Sequence, residues 1–457
     1  MKKYSEFISK KTHTSIDKGI ETLFIPEKMF DFQKHVLKIA NKRGRMAVFL
    51  DTGLGKTIIE LSIAQNYFLK TNKPVLIITP LAVAFQFEKE SKKFGIDSVE
   101  YSRNGEIKSN IVICNYEQLD KFDPKDFDCV ILDESSILKN SDGKTRLAVT
   151  EFLMKVKYRY LFTATPSPND FIELGTSSEA LGFLGYTDML GRFFTNNEKT
   201  IKSHGHIGVK WILKQHAKEG FFKWIRSWSI SAKKPSDLGF SDEGYDLPAL
   251  KLKHHEIKNK TPLVINNQTS MFTMEAKNLS EIRGEQRATI EDRCKKAVEL
   301  ASNHDTTVYW CNLNSEADII EKLDKDAVQI KGGMTIEKKE EMLLKFANGE
   351  IKKLITKPKI TSFGLNWQHC NHTVYFPSFS YEQYYQAIRR FWRFGQEKEV
   401  IVDMVYSDGQ KRIIRALLEK SQKAIELFDK LNKELTKKEV VKKEVGEKIL
   451  FPKFLTK

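Results

Sequence analysis

Short apolar runs recur along the first third of the chain, at Met46–Leu50, Val75–Thr79, Ile111–Asn115, Val130–Asp133 and Tyr160–Thr163. Uninterrupted runs of this length fit strands buried on both faces of a sheet. Between the first two, Thr57–Leu69 reads as a helix that directs Ile58, Leu61, Ile63 and Phe68 toward a core. Strands alternating with helices predict a parallel sheet covered by helices, an α/β fold. The same rhythm returns at Val308–Cys311, Val328–Ile330, Leu354–Lys357, Thr373–Phe376 and Val400–Val405. From about 171 to 250 the texture differs, with glycine, aromatic and basic residues mixed and no strand alternation. Inside that stretch Phe221, Trp224, Ile225 and Trp228 follow i, i+3, i+4, i+7 and predict one buried helical face. Lys210, Lys214, Lys218, Lys223, Arg226, Lys233 and Lys234 are left as candidate phosphate contacts.

An amphipathic helix is expected from Lys411 to about Leu435, followed by the Lys/Glu-rich Lys437–Lys448 as a solvated helix or tether. The apolar peptide Ile449–Leu455 is expected to dock on the body. The organisation expected is a lobe at 1–170, a mainly helical insert at 171–250, a second lobe at 251–410, and a helix with tail at 411–457.

A length of 457 residues agrees with two main domains. No apolar run could span a membrane, and Met1-Lys-Lys-Tyr-Ser-Glu-Phe7 lacks a signal-peptide core, so a cytoplasmic location is expected. The net charge of +15 favours a polyanionic partner, nucleic acid ahead of membrane. Cysteines 114, 129, 294, 311 and 370 are scattered without a Cys-x-x-Cys pair, which supports neither a disulfide framework nor a zinc site.

The chemistry concentrates in three places. Asp51-Thr52-Gly53-Leu54-Gly55-Lys56-Thr57 follows an apolar strand and opens a helix. Gly53 and Gly55 let the backbone curl its N–H groups toward phosphates, Lys56 would reach the β- and γ-phosphates, and Thr57 would ligate Mg²⁺. Cys129-Val-Ile-Leu-Asp-Glu134 delivers two carboxylates at the end of a strand, where ligands gather in parallel sheets. Asp133 suits the Mg²⁺ shell, and Glu134 suits orienting and deprotonating a water. Upstream, the Gln33 amide can match the N6/N7 edge of adenine. Far downstream, Arg390 and Arg393 stand three apart between Gln386 and Gln396. On a helix they would point the same way, and permanently charged guanidinium groups suit the charge of phosphoryl transfer.

The order Phe32-Gln33, Gly53–Thr57, Thr79-Pro-Leu81, Asn115-Tyr116, Asp133-Glu-Ser-Ser136, Thr163-Ala-Thr-Pro166, Gly364-Leu-Asn366 and Gln386–Gln396 resembles a superfamily-two helicase. Lys139-Asn140, Thr165-Pro-Ser-Pro-Asn169, Lys234–Gly239 and Arg393-Phe-Gly-Gln396 resemble the Swi/Snf-type translocases in their compact phage and bacterial form. The resemblance covers about residues 25 to 410 and implies two tandem RecA-like lobes that hydrolyse ATP with Mg²⁺. It makes Lys56, Thr57, Asp133 and Glu134 the hydrolytic set, with Arg390 and Arg393 as arginine fingers and Gln386 as a γ-phosphate sensor. Thr79, Thr163, Thr165, Ser362 and Asn366 fall in motifs that touch the nucleic-acid backbone or couple the two sites. Ser135-Ser136 departs from the Ala-His often found there, and Trp392 stands where relatives often carry histidine. The partner implied is DNA, duplex before single-stranded and before RNA, with a monomer sufficient and a bacterial cell or phage-infected host as the setting. Two alternatives stay open: an ATP-gated DNA-binding switch without processive movement, and an RNA helicase. Trp367 is open too, between a base-stacking platform and a core residue.

Overall fold

The structure, a computed structural model, describes residues 17–80, 83–197, 202–203, 206–207, 210–259, 264–265, 268–269, 279–360 and 366–432. Ser362, Gly364 and the stretches Lys437–Lys448 and Ile449–Leu455 lie outside the described residues. The chain forms two compact units, one running to Asp242 and taking up the chain again from Lys423, the other Glu243–Gln422.

In chain order the strands are β1 (Arg45–Leu50), β2 (Val75–Thr79), β3 (Val99–Tyr101), β4 (Ile111–Asn115), β5 (Cys129–Leu132), β6 (Tyr158–Phe162), β7 (Phe194–Asn197), β8 (Lys202–Ser203), β9 (His206–Ile207) and β10 (Lys210–Leu213). They continue as β11 (Ser229–Ala232), β12 (Leu250–Ile257), β13 (Val264–Ile265), β14 (Gln268–Thr269), β15 (Thr307–Trp310), β16 (Ala327–Gln329), β17 (Lys353–Thr356), β18 (His372–Tyr375) and β19 (Val400–Ser407).

The first unit is built on a seven-stranded sheet of order β11-β1-β6-β5-β2-β4-β3, parallel throughout. Every residue of β2, β4, β5 and β6 is buried, as the apolar runs require of strands covered on both faces. Residues 229–232, within the stretch expected as an insert, pair with β1 and extend this sheet. The helix Lys218–Trp228 turns Phe221, Trp224, Ile225 and Trp228 into the first unit's core, where Trp228 meets Phe49 edge-on at 6.0 Å. Leu427, Phe428 and Leu431, in the last turns of the helix Lys411–Asn432, join the same core.

Three basic residues offered above as phosphate contacts face those last turns. Arg226 Nη1 donates to the Lys430 carbonyl at 3.1 Å, Lys218 pairs with Glu426 at 3.5 Å and Lys233 with Asp429 at 3.4 Å.

The second unit carries a six-stranded sheet of order β12-β19-β18-β15-β17-β16, again parallel throughout. Trp367 is fully buried in it, stacked on Trp310 at 5.7 Å and touching Phe346 and Phe391. The core reading of Trp367 therefore holds and the platform reading does not. His372 hydrogen-bonds Asp403 and Thr307 and so ties neighbouring strands of the sheet together. All five cysteines are buried and unpaired. Among the described residues, no helix is long and apolar enough to cross a membrane.

Candidate nucleotide-binding site

The strand order sets four chemistry-bearing segments side by side. β1, β6, β5 and β2 are consecutive neighbours in the sheet. Their carboxyl ends lead into the glycine loop after Leu50, into Thr163, into Asp133-Glu134, and end at Thr79. A parallel sheet brings residues far apart in sequence together at this edge, where ligands bind in such folds.

The loop after β1 is tied on three sides. The Asp51 N–H donates to the Ala232 carbonyl of β11 at 3.0 Å. Gly53 and Gly55 have φ of 88° and 76°, the left-handed region that glycine enters at little cost. Gln33 holds the loop from outside: its Nε2 donates to the Leu54 carbonyl at 3.1 Å, and its Oε1 accepts from the Phe30 N–H at 3.0 Å. A Cβ on Gly55 would lie 2.3 Å from Gln33 Nε2. Thr52 and Leu54 complete the loop, Leu54 with its side chain buried. Lys56 opens the helix Lys56–Thr71 and donates its ammonium to the Leu50 carbonyl at 3.1 Å and the Asp51 carbonyl at 3.5 Å. The first N–H groups of this helix, with its positive dipole end, face the region of Lys56 and Thr57, a setting that favours anions.

Asp133 is buried. Its Oδ2 accepts from the Thr79 hydroxyl at 2.9 Å and its Oδ1 from the Glu134 N–H at 3.0 Å, while Tyr116 donates to its carbonyl at 2.5 Å. Burial raises the Asp133 carboxyl above the usual range, and Lys56, the Thr79 hydroxyl and the Glu134 N–H work against that rise. Glu134 sits at φ 49°, unusual for a residue with a side chain. Thr163 Oγ1 donates to Glu134 Oε2 at 3.5 Å and accepts the Thr165 N–H at 3.0 Å. Thr79, Thr163 and Thr165, expected at the nucleic-acid backbone, are thus buried, and the first two are turned onto the carboxylates.

One residue went unnoticed in the sequence. Glu60 lies one turn into the phosphate-loop helix, fully buried, with neither carboxylate oxygen hydrogen-bonded. Burial, then Asp133, raises its carboxyl well above the ordinary value, with Lys56 opposing. The available signal was an acidic residue inside the apolar run Ile58-Ile59-Glu60-Leu61.

In the second unit Gln386 is on the helix Tyr381–Ile388, but that helix stops before the arginines. The expectation of Arg390 and Arg393 on one helical face is therefore corrected. Arg390 lies in the turn that follows, where its carbonyl accepts from the Trp367 N–H at 3.0 Å and its guanidinium sits 5.4 Å from the Trp367 ring centre. Arg393 lies in the next bend, before Gly395 at φ 87°. Burial of Phe391 against Trp310 and Trp367 forces the chain out of the helix here. Gln396 is buried and donates to the Cys370 and Phe391 carbonyls, which closes this turn. Trp392 donates its indole N–H to the Pro248 carbonyl at 2.7 Å, a packing role. Asn366 is exposed.

Two family models match: the type III restriction enzyme res subunit over residues 3–168, and the helicase conserved C-terminal domain over residues 290–395. The fold resembles that of S. cerevisiae Dbp5 bound to RNA and ADP BeF3, with a TM-score of 0.54 over 92% of this chain and 94% of that one, at 14% identity. The chain is a superfamily-two helicase with two tandem RecA-like lobes. Within that superfamily its similarity is to proteins of the Swi/Snf type. Its relatives include the DNA annealing helicase and endonuclease ZRANB3 of Bos taurus, 29% identical over 180 residues, 35% of this chain and 17% of that protein. Another is the SWI/SNF-related matrix-associated actin-dependent regulator of chromatin subfamily A-like protein 1 of Xenopus tropicalis, 27% identical over 164 residues, 34% of this chain. The chain spans 17% of the length of each of these two relatives.

Proposed function

We propose that this protein is a nucleic-acid-dependent ATPase that works as a DNA translocase or helicase. The observation that carries this reading is the convergence of the glycine loop, Asp133-Glu134, Thr163 and Thr79 at the ends of four neighbouring strands. Lys56 would exchange its two loop carbonyls for phosphate oxygens, a stronger, charge-assisted bond. Thr57 and Asp133 would hold Mg²⁺, and the fit rests on the chemistry of Asp133, a buried carboxylate whose ionised form a cation would favour. Bound there, Mg²⁺ supplies positive charge to the phosphates. Glu134 takes the proton of the attacking water, and the Gln33 amide, firm against Leu54, meets the base. Gln386, Arg390 and Arg393 are proposed as phosphate-sensing and charge-neutralising residues of the second unit. Asn366 and Ser362 are proposed for the nucleic-acid backbone. Duplex DNA is the preferred track in this reading, and the monomer its working form.

The experiment is the ATPase rate of the full chain with single-stranded DNA, duplex DNA, forked DNA and RNA side by side. Glu134→Gln is expected to keep ATP binding and lose about 10²–10⁴-fold in turnover, the usual weight of a general base. Lys56→Ala is expected to lose both. Stimulation by RNA above that by duplex DNA overturns the choice of track. Full turnover in Glu134→Gln overturns the assignment of the base.

A further inference from the structure

Glu60 is a fully buried carboxylate with two oxygens that accept no hydrogen bond. Such exceptions are rare in folded proteins and point to a water or ion that completes them. Its position is not arbitrary. Glu60 follows Lys56 by four residues and Thr57 by three on one continuous helix, so the three side chains share a face. The charges it senses are Asp133, Lys56, Glu134 and Glu90, the first three being residues of the nucleotide site.

Among the described residues no three His, Cys, Asp or Glu side chains converge to cage a metal ion. Magnesium commonly keeps several of its waters and takes only one or two protein ligands. Those waters carry outward-pointing hydrogens that need acceptors. We propose that Glu60 is a positioning residue of the divalent-cation site, its two oxygens accepting hydrogen bonds from the waters of a Mg²⁺ held by Thr57 and Asp133. The proposal rests on the nucleotide site described above and adds to it a residue that orients the hydrated ion without ligating it.

The test compares the wild-type chain with Glu60→Gln and Glu60→Met, all full length. Affinity for a fluorescent ADP is measured in EDTA and across a Mg²⁺ series, with thermal unfolding as a check of folding. Loss of an orienting partner typically weakens metal binding about 10–100-fold. Both variants are expected to match wild type in EDTA and to need about tenfold or more Mg²⁺ to reach half of the affinity gain. Methionine should shift the midpoint further than glutamine, which keeps one acceptor oxygen. A folded Glu60→Met with the wild-type Mg²⁺ midpoint overturns the proposal and makes Glu60 a tolerated core carboxyl. Wild type that binds ADP equally with and without Mg²⁺ overturns the metal site itself, an outcome visible without either variant.

Discussion

The contact between Gln33 and Gly55 makes a quantitative prediction about the phosphate loop. Gly55 lies at φ 76°, and a methyl there would come within 2.3 Å of Gln33 Nε2. Left-handed backbone costs an alanine about 1–2 kcal/mol. To admit the methyl, Gln33 must also leave the Leu54 carbonyl at 3.1 Å and the Phe30 N–H at 3.0 Å. Each bond is worth about 1 kcal/mol net. Gly55→Ala is therefore expected to destabilise the protein by about 3–4 kcal/mol, of which about 2 runs through Gln33. Gln33→Ala alone should cost about 2 kcal/mol by losing the same two bonds. In a Gln33→Ala background the close contact left is Ile58 Cγ2 at 3.2 Å, which a small side-chain shift relieves, so Gly55→Ala should then cost little beyond its backbone strain, about 1–2 kcal/mol. The assay is equilibrium urea unfolding of wild type, both single variants and the double variant. The cycle should close with a coupling of about 2 kcal/mol. Additivity within about 0.5 kcal/mol, as for independent sites, would refute the steric argument.

Trp367→Ala should cost about 3–5 kcal/mol in thermal or urea unfolding, because a fully buried indole is removed from its stack with Trp310. Weakened DNA binding with unchanged stability would return Trp367 to the role of a platform. Glu60 also sets a pH dependence. Its folded carboxyl is raised, first by burial, then by Asp133, with Lys56 lowering it and Glu134 and Glu90 raising it. The unfolded chain therefore gives up this proton first, and stability falls as pH rises from about 4.5 toward the folded value. Glu60→Gln should flatten the decline of the unfolding midpoint as pH rises above about 5, with Asp133, Glu173 and Glu285, which are raised too, contributing to what remains. An unchanged slope would mean that Glu60 is ionised in the fold.

The runs predicted as strands are the strands of the structure to within one or two residues, because a strand buried on both faces must be apolar throughout. Three other strands of the two large sheets escaped. β3 is only three residues long, and β11 reads Ser-Ile-Ser-Ala, with no apolar run to mark it. β12 is largely exposed and reads Leu-Lys-Leu-Lys-His-His-Glu-Ile, the mark of an edge strand. The site was legible where chemistry demands particular residues in a fixed order, as in the glycine loop and the Asp133-Glu134 pair. It was not legible where packing decides. Spacing alone suggested a helix through Arg390 and Arg393, but burial of Phe391 and the Gly395 turn end it at Ile388. No local pattern shows that Glu60 is deprived of hydrogen-bond partners, since that follows from the tertiary surroundings of its helix.

The buried threonines give the site a means of responding to its surroundings. Thr79 ends β2 and Thr163 follows β6, and each hydroxyl is directed at a different carboxylate. The two links differ in grip. The Thr79 bond to Asp133 is 2.9 Å, near the optimum, whereas Thr163 reaches Glu134 at 3.5 Å, where a hydrogen bond contributes little. Asp133 is also held by the Glu134 N–H, while Glu134 sits in a left-handed conformation that its neighbours must maintain. A shift of about 0.5 Å in the loop after β6 would tighten or break the Glu134 link and leave Asp133 in place. Nucleic acid acting on that loop would thereby move Glu134, the proposed base, while Asp133, the proposed cation ligand, stays fixed. Because the Thr163 and Thr165 side chains are buried, such a signal has to arrive through the loop backbone. Thr163→Val should therefore lower the nucleic-acid-stimulated ATPase rate more than the basal rate. Equal loss in both would show that Thr163 merely supports the strand.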